Sequence, residues 1–256
     1  MITFELALLL GLIALIGGIC ITTIGPGGIF VTIALFLLLD LDPSTVAGTA
    51  SLTFIGTGLL GSAAYLKSGE LRVPGAFKGA AILGTTSVIG AFAGTVINPY
   101  LEKEVFGALL GGFVLFVGLI ILYRQRFGLG SKLELDLKSR KGLVLFGLTG
   151  LLVGLPGGLL GVGGPVLAVP LLILLGVPML VAVGLAQVQS VFISLFATIG
   201  YGMQGAIDWS LGLLIGIPLL VGTYGGWWIA GRSNPERLKE ILAVVLSALG
   251  IYLLVT

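Results

Sequence analysis

Apolar stretches separated by short polar or glycine-rich interruptions run along the chain in two sets of five. They fall at about 3–24, 28–39, 44–66, 74–97 and 103–123, then at 142–160, 164–176, 179–202, 209–231 and 237–255. A spanning helix needs roughly 20 predominantly apolar residues, so the pattern predicts an all-α polytopic membrane protein. The second stretch of each set is short. About 12 residues rise only about 18 Å, against a hydrocarbon core of about 30 Å, so 28–39 and 164–176 read as half-helices or re-entrant arms. The strongly polar stretch from Arg124 to Lys141 separates the sets. The expected organisation is an N-terminal transmembrane repeat (1–123), a linker (124–141) and a C-terminal transmembrane repeat (142–256).

The two sets are copies. A single ungapped offset of 136 residues sets Gly18 on Gly154, Gly25 on Gly161, Gly27 on Gly163, Gly28 on Gly164 and Gly48 on Gly184. It also sets Tyr65 on Tyr201, Asn98-Pro99 on Asn234-Pro235 and Lys103-Glu104 on Lys239-Glu240. Leucine matches are expected by chance in so apolar a chain, but shared Asn-Pro, Lys-Glu and Gly-x-Gly-Gly in one register are the mark of duplication.

Composition narrows the function. Of 256 residues, 57% are hydrophobic and 9% charged, with a mean hydropathy of +1.19; a soluble domain carries about 25% charged residues. A net charge of +2 provides no basic stripe for a nucleic-acid backbone. Histidine is absent and Cys20 is the single cysteine, which removes disulfide frameworks, zinc sites and imidazole-dependent catalysis. The chain reads as no enzyme and as needing no cofactor or metal. Glu5 precedes the first apolar run with no Lys or Arg ahead of it, so no cleaved signal peptide is expected and the first helix stays.

Positive charge sets the expected topology, because Lys and Arg near membrane ends prefer the cytoplasmic side. The linker holds six of the thirteen Lys and Arg and is placed in the cytoplasm. Counting crossings from it puts the loop with Lys67, Arg72 and Lys78 inside and the Asp40-Leu41-Asp42 turn outside. The repeat mates of those three basic residues are Met203, Asp208 and Leu214. One loop is basic and its twin is not, so the halves are expected to be inverted, a construction that puts transporter sites near the bilayer midplane.

Candidate chemistry lies in the duplicated glycine clusters, with Thr22, Thr23, Gly25, Gly27 and Gly28 in one half and Gly161, Gly163 and Gly164 in the other. Each interrupts an apolar run just before a short segment. Irregular backbone at membrane depth is tolerated where it is buried or lines a wet cavity, and the N–H groups opening the next half-helix form an anion site without a charged side chain. Bulky replacements at Gly27 or Gly163 should therefore abolish transport while insertion survives. Thr49, Ser51 and Thr53 in one half, and Gln187, Gln189, Ser190 and Ser194 in the other, either line the same pathway or join neighbouring helices. Asn98-Pro99 and Asn234-Pro235 read as helix starts, with Asn capping and Pro first. Gly90/Gly94, Gly107/Gly111 and Gly222/Gly226 read as close-packing pairs. Trp209, Trp227, Trp228, Tyr100 and Tyr123 read as interface anchors, and so do the repeat mates Tyr65 and Tyr201. No ionisable side chain falls clearly in mid-span, so no carboxylate relay is visible.

These residues resemble the TauE/SafE sulfite exporter family, also called the toluene-sulfonate uptake permeases. The resemblance covers nearly the whole chain. It rests on Gly161-Val162-Gly163-Gly164-Pro165 followed by Val169-Pro170, on Ala47-Gly48-Thr49-Ala50-Ser51, and on Gly202-Met203-Gln204-Gly205-Ala206-Ile207-Asp208-Trp209. The chain departs from the family at Gly184-Leu185-Ala186-Gln187 and at Pro26, so the two halves need not act alike. The resemblance implies a secondary transporter, an exporter of a small sulfur-containing or organic anion such as sulfite or a sulfonate, in a bacterial or archaeal inner membrane. Its partners would be the anion and the lipid bilayer, with homo-oligomerisation left open. A passive anion or small-solute channel of the same architecture is the alternative, followed by a membrane-embedded scaffold without transport.

Overall fold

The computed structural model describes residues 3–127, 140–230 and 235–255, and the regular structure among them is helical, with no strand. The first set comprises α1 (Phe4–Thr23), α2 (Ile29–Leu38), α3 (Pro43–Ser68), α4 (Ala76–Ile97) and α5 (Lys103–Phe127). The second comprises α6 (Arg140–Leu160), α7 (Pro165–Leu174), α8 (Met179–Met203), α9 (Trp209–Ala230) and α10 (Pro235–Val255). Among the described residues α1, α3, α4, α5, α6, α8 and α9 are long and apolar enough to cross a membrane. The chain is thus an all-α polytopic membrane protein. Both α2 and α7 have 10 residues, about 15 Å of rise and half a hydrocarbon core. Most of the expected linker, 128–139, and Asn234 lie outside the described residues.

Glycine pairs bring the long helices together. A Cβ on Gly18 would lie 2.2 Å from Leu219 O and one on Gly222 would lie 2.1 Å from Leu15 O, so α1 and α9 touch backbone to backbone and run parallel. Gly90 and Gly94 meet Leu151, Leu155 and Leu159 in the same manner, setting α4 parallel to α6. The expected packing role of Gly90, Gly94, Gly222 and Gly226 follows from these contacts, since lipid provides no hydrophobic drive and close approach must hold the helices.

At the centre, α3 lies against α8. Gly48 meets Tyr201, Gly58 meets Val191 and Gly61 meets Gln187, an antiparallel order. Gly111 beside Gly250 and Gly118 beside Ser247 make α5 and α10 antiparallel too. Gly212, Gly216 and Gly56 set α9 parallel to α3, through Leu52, Thr53 and Leu220. Because α1 and α3 both run with α9, they share one direction, and the short α2 segment carries the chain back between them. The same reasoning through α4 returns the chain between α6 and α8 by way of α7, since Gly84 meets Phe192 and Gly200 meets Thr95.

Turns at the helix ends are fixed by polar caps. Asp208 caps α9: its carboxylate accepts from Leu211 N at 2.9 Å and from the Ser210 hydroxyl at 2.8 Å. These bonds, the Leu211 N–H foremost, hold the carboxyl below its ordinary value of 3.8. A lowered native pKa stabilises the fold above the unfolded value, and the contribution fades as pH falls through the native value. Asp208→Ala is expected to lower stability by about 0.5–1 kcal/mol at neutral pH, the low end for a largely solvated cap. Chemical unfolding at pH 7 and at pH 3 should show the difference shrinking in acid.

Candidate functional site

Two helix breaks lie face to face in the core. In the first, α1 stops at Thr23, Gly25 turns left-handed at φ +105°, and its N–H returns to Cys20 O at 3.0 Å. In the second, α6 stops at Leu160, and Gly161 and Gly163 take φ +62° and +73°. Only glycine adopts these angles without strain. Every residue of 21–29 and of 161–170 is buried.

The breaks interlock. Thr32 on α2 donates to Gly161 O at 2.5 Å. Gly25 faces Val169 and Pro165 O of α7, and Gly28 faces Val162 O. The Phe54 ring of α3 lies against both Gly28 and Gly163, within 3.0 Å and 3.3 Å of where their Cβ atoms would be. Ser190 of α8 closes the other side, its backbone N 3.0 Å from the Cβ position of Gly164 and its Oγ 3.5 Å from that of Gly163. The starts of α2 and α7 therefore converge on Phe54.

A helix that stops leaves carbonyls unpaired, and one that starts leaves N–H groups unpaired. Here the two kinds are treated differently. On α1, Thr22 O accepts from the Tyr65 hydroxyl and Ile21 O from Gln187 Nε2 at 3.1 Å. On α6, Gly158 O accepts from Tyr201 at 2.8 Å and Leu159 O from Asn98 Nδ2 at 2.6 Å. On the starting side, Ala168 is the first residue of α7 whose N–H reaches a carbonyl, Gly164 O at 3.1 Å. Among the described residues no hydrogen bond takes up the N–H groups of Gly28, Ile29, Gly163, Gly164, Val166 or Leu167. Pro165, at the first position of α7, contributes none by its chemistry. The breaks hide acceptors and present donors, at the positive ends of two helix dipoles.

Three expectations change. Tyr65 and Tyr201 are 1% and 0% exposed and anchor nothing at the interface; an unpaired carbonyl in the core recruits the phenol hydroxyl. Asn98 is buried in a 3-10 turn before α5, which begins only at Lys103, and it ties Leu159 O instead of capping a helix. At Gly27 a Cβ would lie 2.1 Å from Gly17 O, so bulk there breaks the seat of α2 on α1 and probes packing, whereas Gly163 probes the space between the breaks. Tyr201→Phe leaves Gly158 O unpaired and should lower stability by about 1–3 kcal/mol, with Tyr65→Phe moving the same way; thermal unfolding in detergent reads both.

Of the candidate residues, the fold gathers Gly25, Gly28, Gly161, Gly163, Gly164 and Ser190. Gln189, fully buried with Oε1 and Nε2 both unpartnered, precedes Ser190. Other hydroxyls are engaged elsewhere: Thr22 with Thr223 O, Thr23 with Ile19 O, Thr53 with Ala50 O, and Thr49 as acceptor from Asp208 N. Ser51 is buried on the stripe of α3 that faces α8. Phe54 escaped notice in the sequence, although the 136-residue offset sets it on Ser190.

Relatives of this chain are described in the same terms. It is 24% identical over 237 residues to the "Probable membrane transporter protein YdhB" of Bacillus subtilis (strain 168), covering 92% of this chain and 93% of the relative. It is 28% identical over 263 residues to the "Probable membrane transporter protein ORF9" of Sinorhizobium sp, covering 99% and 94%. No solved structure matches it. The sulfite exporter TauE/SafE family matches residues 10–253. That span runs from α1 to the end of α10 and takes in both breaks and all that packs on them, so the chain belongs to the TauE/SafE family and is a membrane transporter.

Proposed function

We propose that the protein is a secondary transporter, an exporter, of a small oxyanion of the sulfite or short sulfonate class, bound where the two breaks meet. The observation that carries this is the asymmetry of the breaks, whose carbonyl ends are filled by Tyr65, Gln187, Tyr201 and Asn98 while the N–H groups of Gly28 and Ile29 at α2, and of Gly163, Gly164, Val166 and Leu167 at α7, have no protein partner among the described residues; at α2, Phe30 and Val31 bond back to Gly27 O and Gly28 O. A site of donors without a basic side chain suits a monovalent or divalent oxyanion, which gains several charge-assisted hydrogen bonds and can leave again. Gln189 Nε2 and the Ser190 hydroxyl add donors, and Phe54 gives one apolar wall. Gln187 gives one of its two Nε2 hydrogens to Ile21 O, which ties it to the carbonyl end of α1.

We further infer that the halves form an inverted repeat. The repeat mates α3 and α8 lie antiparallel, as do α5 and α10, and mates related by an axis in the membrane plane would do so. The 124–141 linker, with six Lys and Arg, would then lie in the cytoplasm of a bacterial or archaeal cell, as that positive charge favours. The test is uptake of labelled sulfite and of a short sulfonate into proteoliposomes. Saturable flux of either is expected; flux that rises linearly with concentration would make the protein a channel.

A further inference from the structure

Hydroxyls in the spanning helices mostly give their hydrogen to a carbonyl one turn back. Thr57, Ser87, Thr95, Thr149 and Thr223 bond to Phe54 O, Gly84 O, Phe92 O, Leu145 O and Leu219 O. The covered hydroxyl oxygens of Ser62, Ser194 and Thr198 have no protein partner, and neither has Oε1 of Gln187. Ser194 and Gln187 are 1% and 0% exposed.

These four groups share one seam. Gln187, Ser194 and Thr198 recur on one stripe of α8, the stripe on which Gln187 and Val191 meet Gly61 and Gly58 of α3. Ser62, one turn beyond Gly58, stands on the facing stripe, and the repeat offset sets it on Thr198. From Gln187 to Thr198 the rise is about 16 Å, roughly half a hydrocarbon core. Ser190, three residues after Gln187 and four before Ser194, lies on the same stripe, and Phe54 lies one turn before Gly58 on α3, so the seam runs up to the meeting point of the breaks.

Buried polar groups are almost always paired with protein or with ordered water. Hydroxyls in file with water each accept one hydrogen bond and give another. A proton entering at one end then displaces one at the other, and no group is left charged. The titratable side chains facing the seam are Tyr65 beside Gly184 and Tyr201 beside Gly48, both donating to carbonyls. Carboxylates stand at the two ends: Glu70 near Tyr65, bonded by Ser68, and Asp208, whose N–H holds Thr49 Oγ1 at 3.0 Å. The described buried side chains include no Asp, Glu, Lys or Arg.

We propose that the α3–α8 seam is a water-lined proton path that couples proton movement to anion transport; the coupling, though not the path, rests on the anion-carrier reading. The path is tested without any anion, in proteoliposomes holding a pH-sensitive dye under a potassium potential set with valinomycin. Wild-type protein is expected to change lumenal pH about fivefold faster than protein-free liposomes, and the Ser194→Ala/Thr198→Val variant no faster than those liposomes. Ser194→Thr/Thr198→Ser keeps both hydroxyls and should keep conduction. A wild-type rate equal to that of protein-free liposomes overturns the path, and so does a double variant, folded by gel filtration, that conducts as wild type does. If that variant does not fold, Ser62→Ala decides the matter by the same criterion.

Labelled sulfite is then added. The double variant is expected to keep downhill flux and to lose about tenfold of the accumulation driven by an imposed pH difference. Undiminished accumulation overturns the coupling. Absence of sulfite flux in wild type overturns the coupling through the carrier reading, while the anion-free measurement still decides the path.

Discussion

Gly163→Leu is expected to bring sulfite flux down to that of protein-free liposomes while the protein still folds and inserts. Position 163 has φ +73°, which is strained for any residue with a Cβ, by about 1–2 kcal/mol. That strain alone is survivable in a domain stable by about 5–15 kcal/mol. Location does the damage. The side chain would press on the Phe54 ring, 3.3 Å from the new Cβ, and on Ser190 Oγ, filling the point where the starts of α2 and α7 converge. Gly205→Leu is the control. Gly205 has φ +69° but nothing within 4 Å of its Cβ position, so it carries the same strain outside the site. Its flux should match wild type, and equal loss in both variants would assign the effect to strain.

Gln189→Met is expected to raise stability and remove transport together. The amide is fully buried, and neither Oε1 nor Nε2 has a protein partner. An unpaired buried polar group costs about 1–3 kcal/mol, and replacing it by an apolar group of like shape recovers part of that. A structural glutamine would not behave so, because its loss would break a bond. If the amide donates to the anion, one charge-assisted hydrogen bond of about 1.5–3 kcal/mol disappears, which is about 10–100-fold in affinity or flux. Thermal unfolding and sulfite flux on one preparation separate the cases: a more stable, inactive variant supports the role, and a more stable variant with full flux contradicts it.

Much of the fold was legible because it is written in hydrophobicity. The ten apolar stretches match ten helices to within a few residues, and the short second stretches are the 10-residue α2 and α7. Lipid leaves the backbone only a helix or a closed barrel, and apolar runs of about 20 residues choose the helix, so a run and its interruption by Gly-Pro or Gly-Gly carry most of the message. The glycine clusters, Gln189 and Ser190 were visible for the same reason. Tyr65, Tyr201 and Asn98 were misread, since a helix-end aromatic looks alike whether it faces headgroups or a carbonyl across the core. Which carbonyl needs a donor is decided by the packing of α3 on α1 and of α8 on α6, and periodicity within one helix holds no record of it. The antiparallel pairing of α3 with α8 is equally a matter of tertiary contact, through Gly58 and Gly61. Thr22, Thr23, Thr49 and Thr53 drew notice as polar residues in apolar helices, but their hydrogen bonds serve the backbone.

The central claim, that a small oxyanion is held by the donors presented between the two breaks, is met most directly by equilibrium binding of labelled sulfite to purified protein. Wild type and Gly205→Leu should bind saturably and alike, and folded Gly163→Leu and Gln189→Met should each bind more weakly by about tenfold or more. Undiminished binding by both site variants would contradict the account.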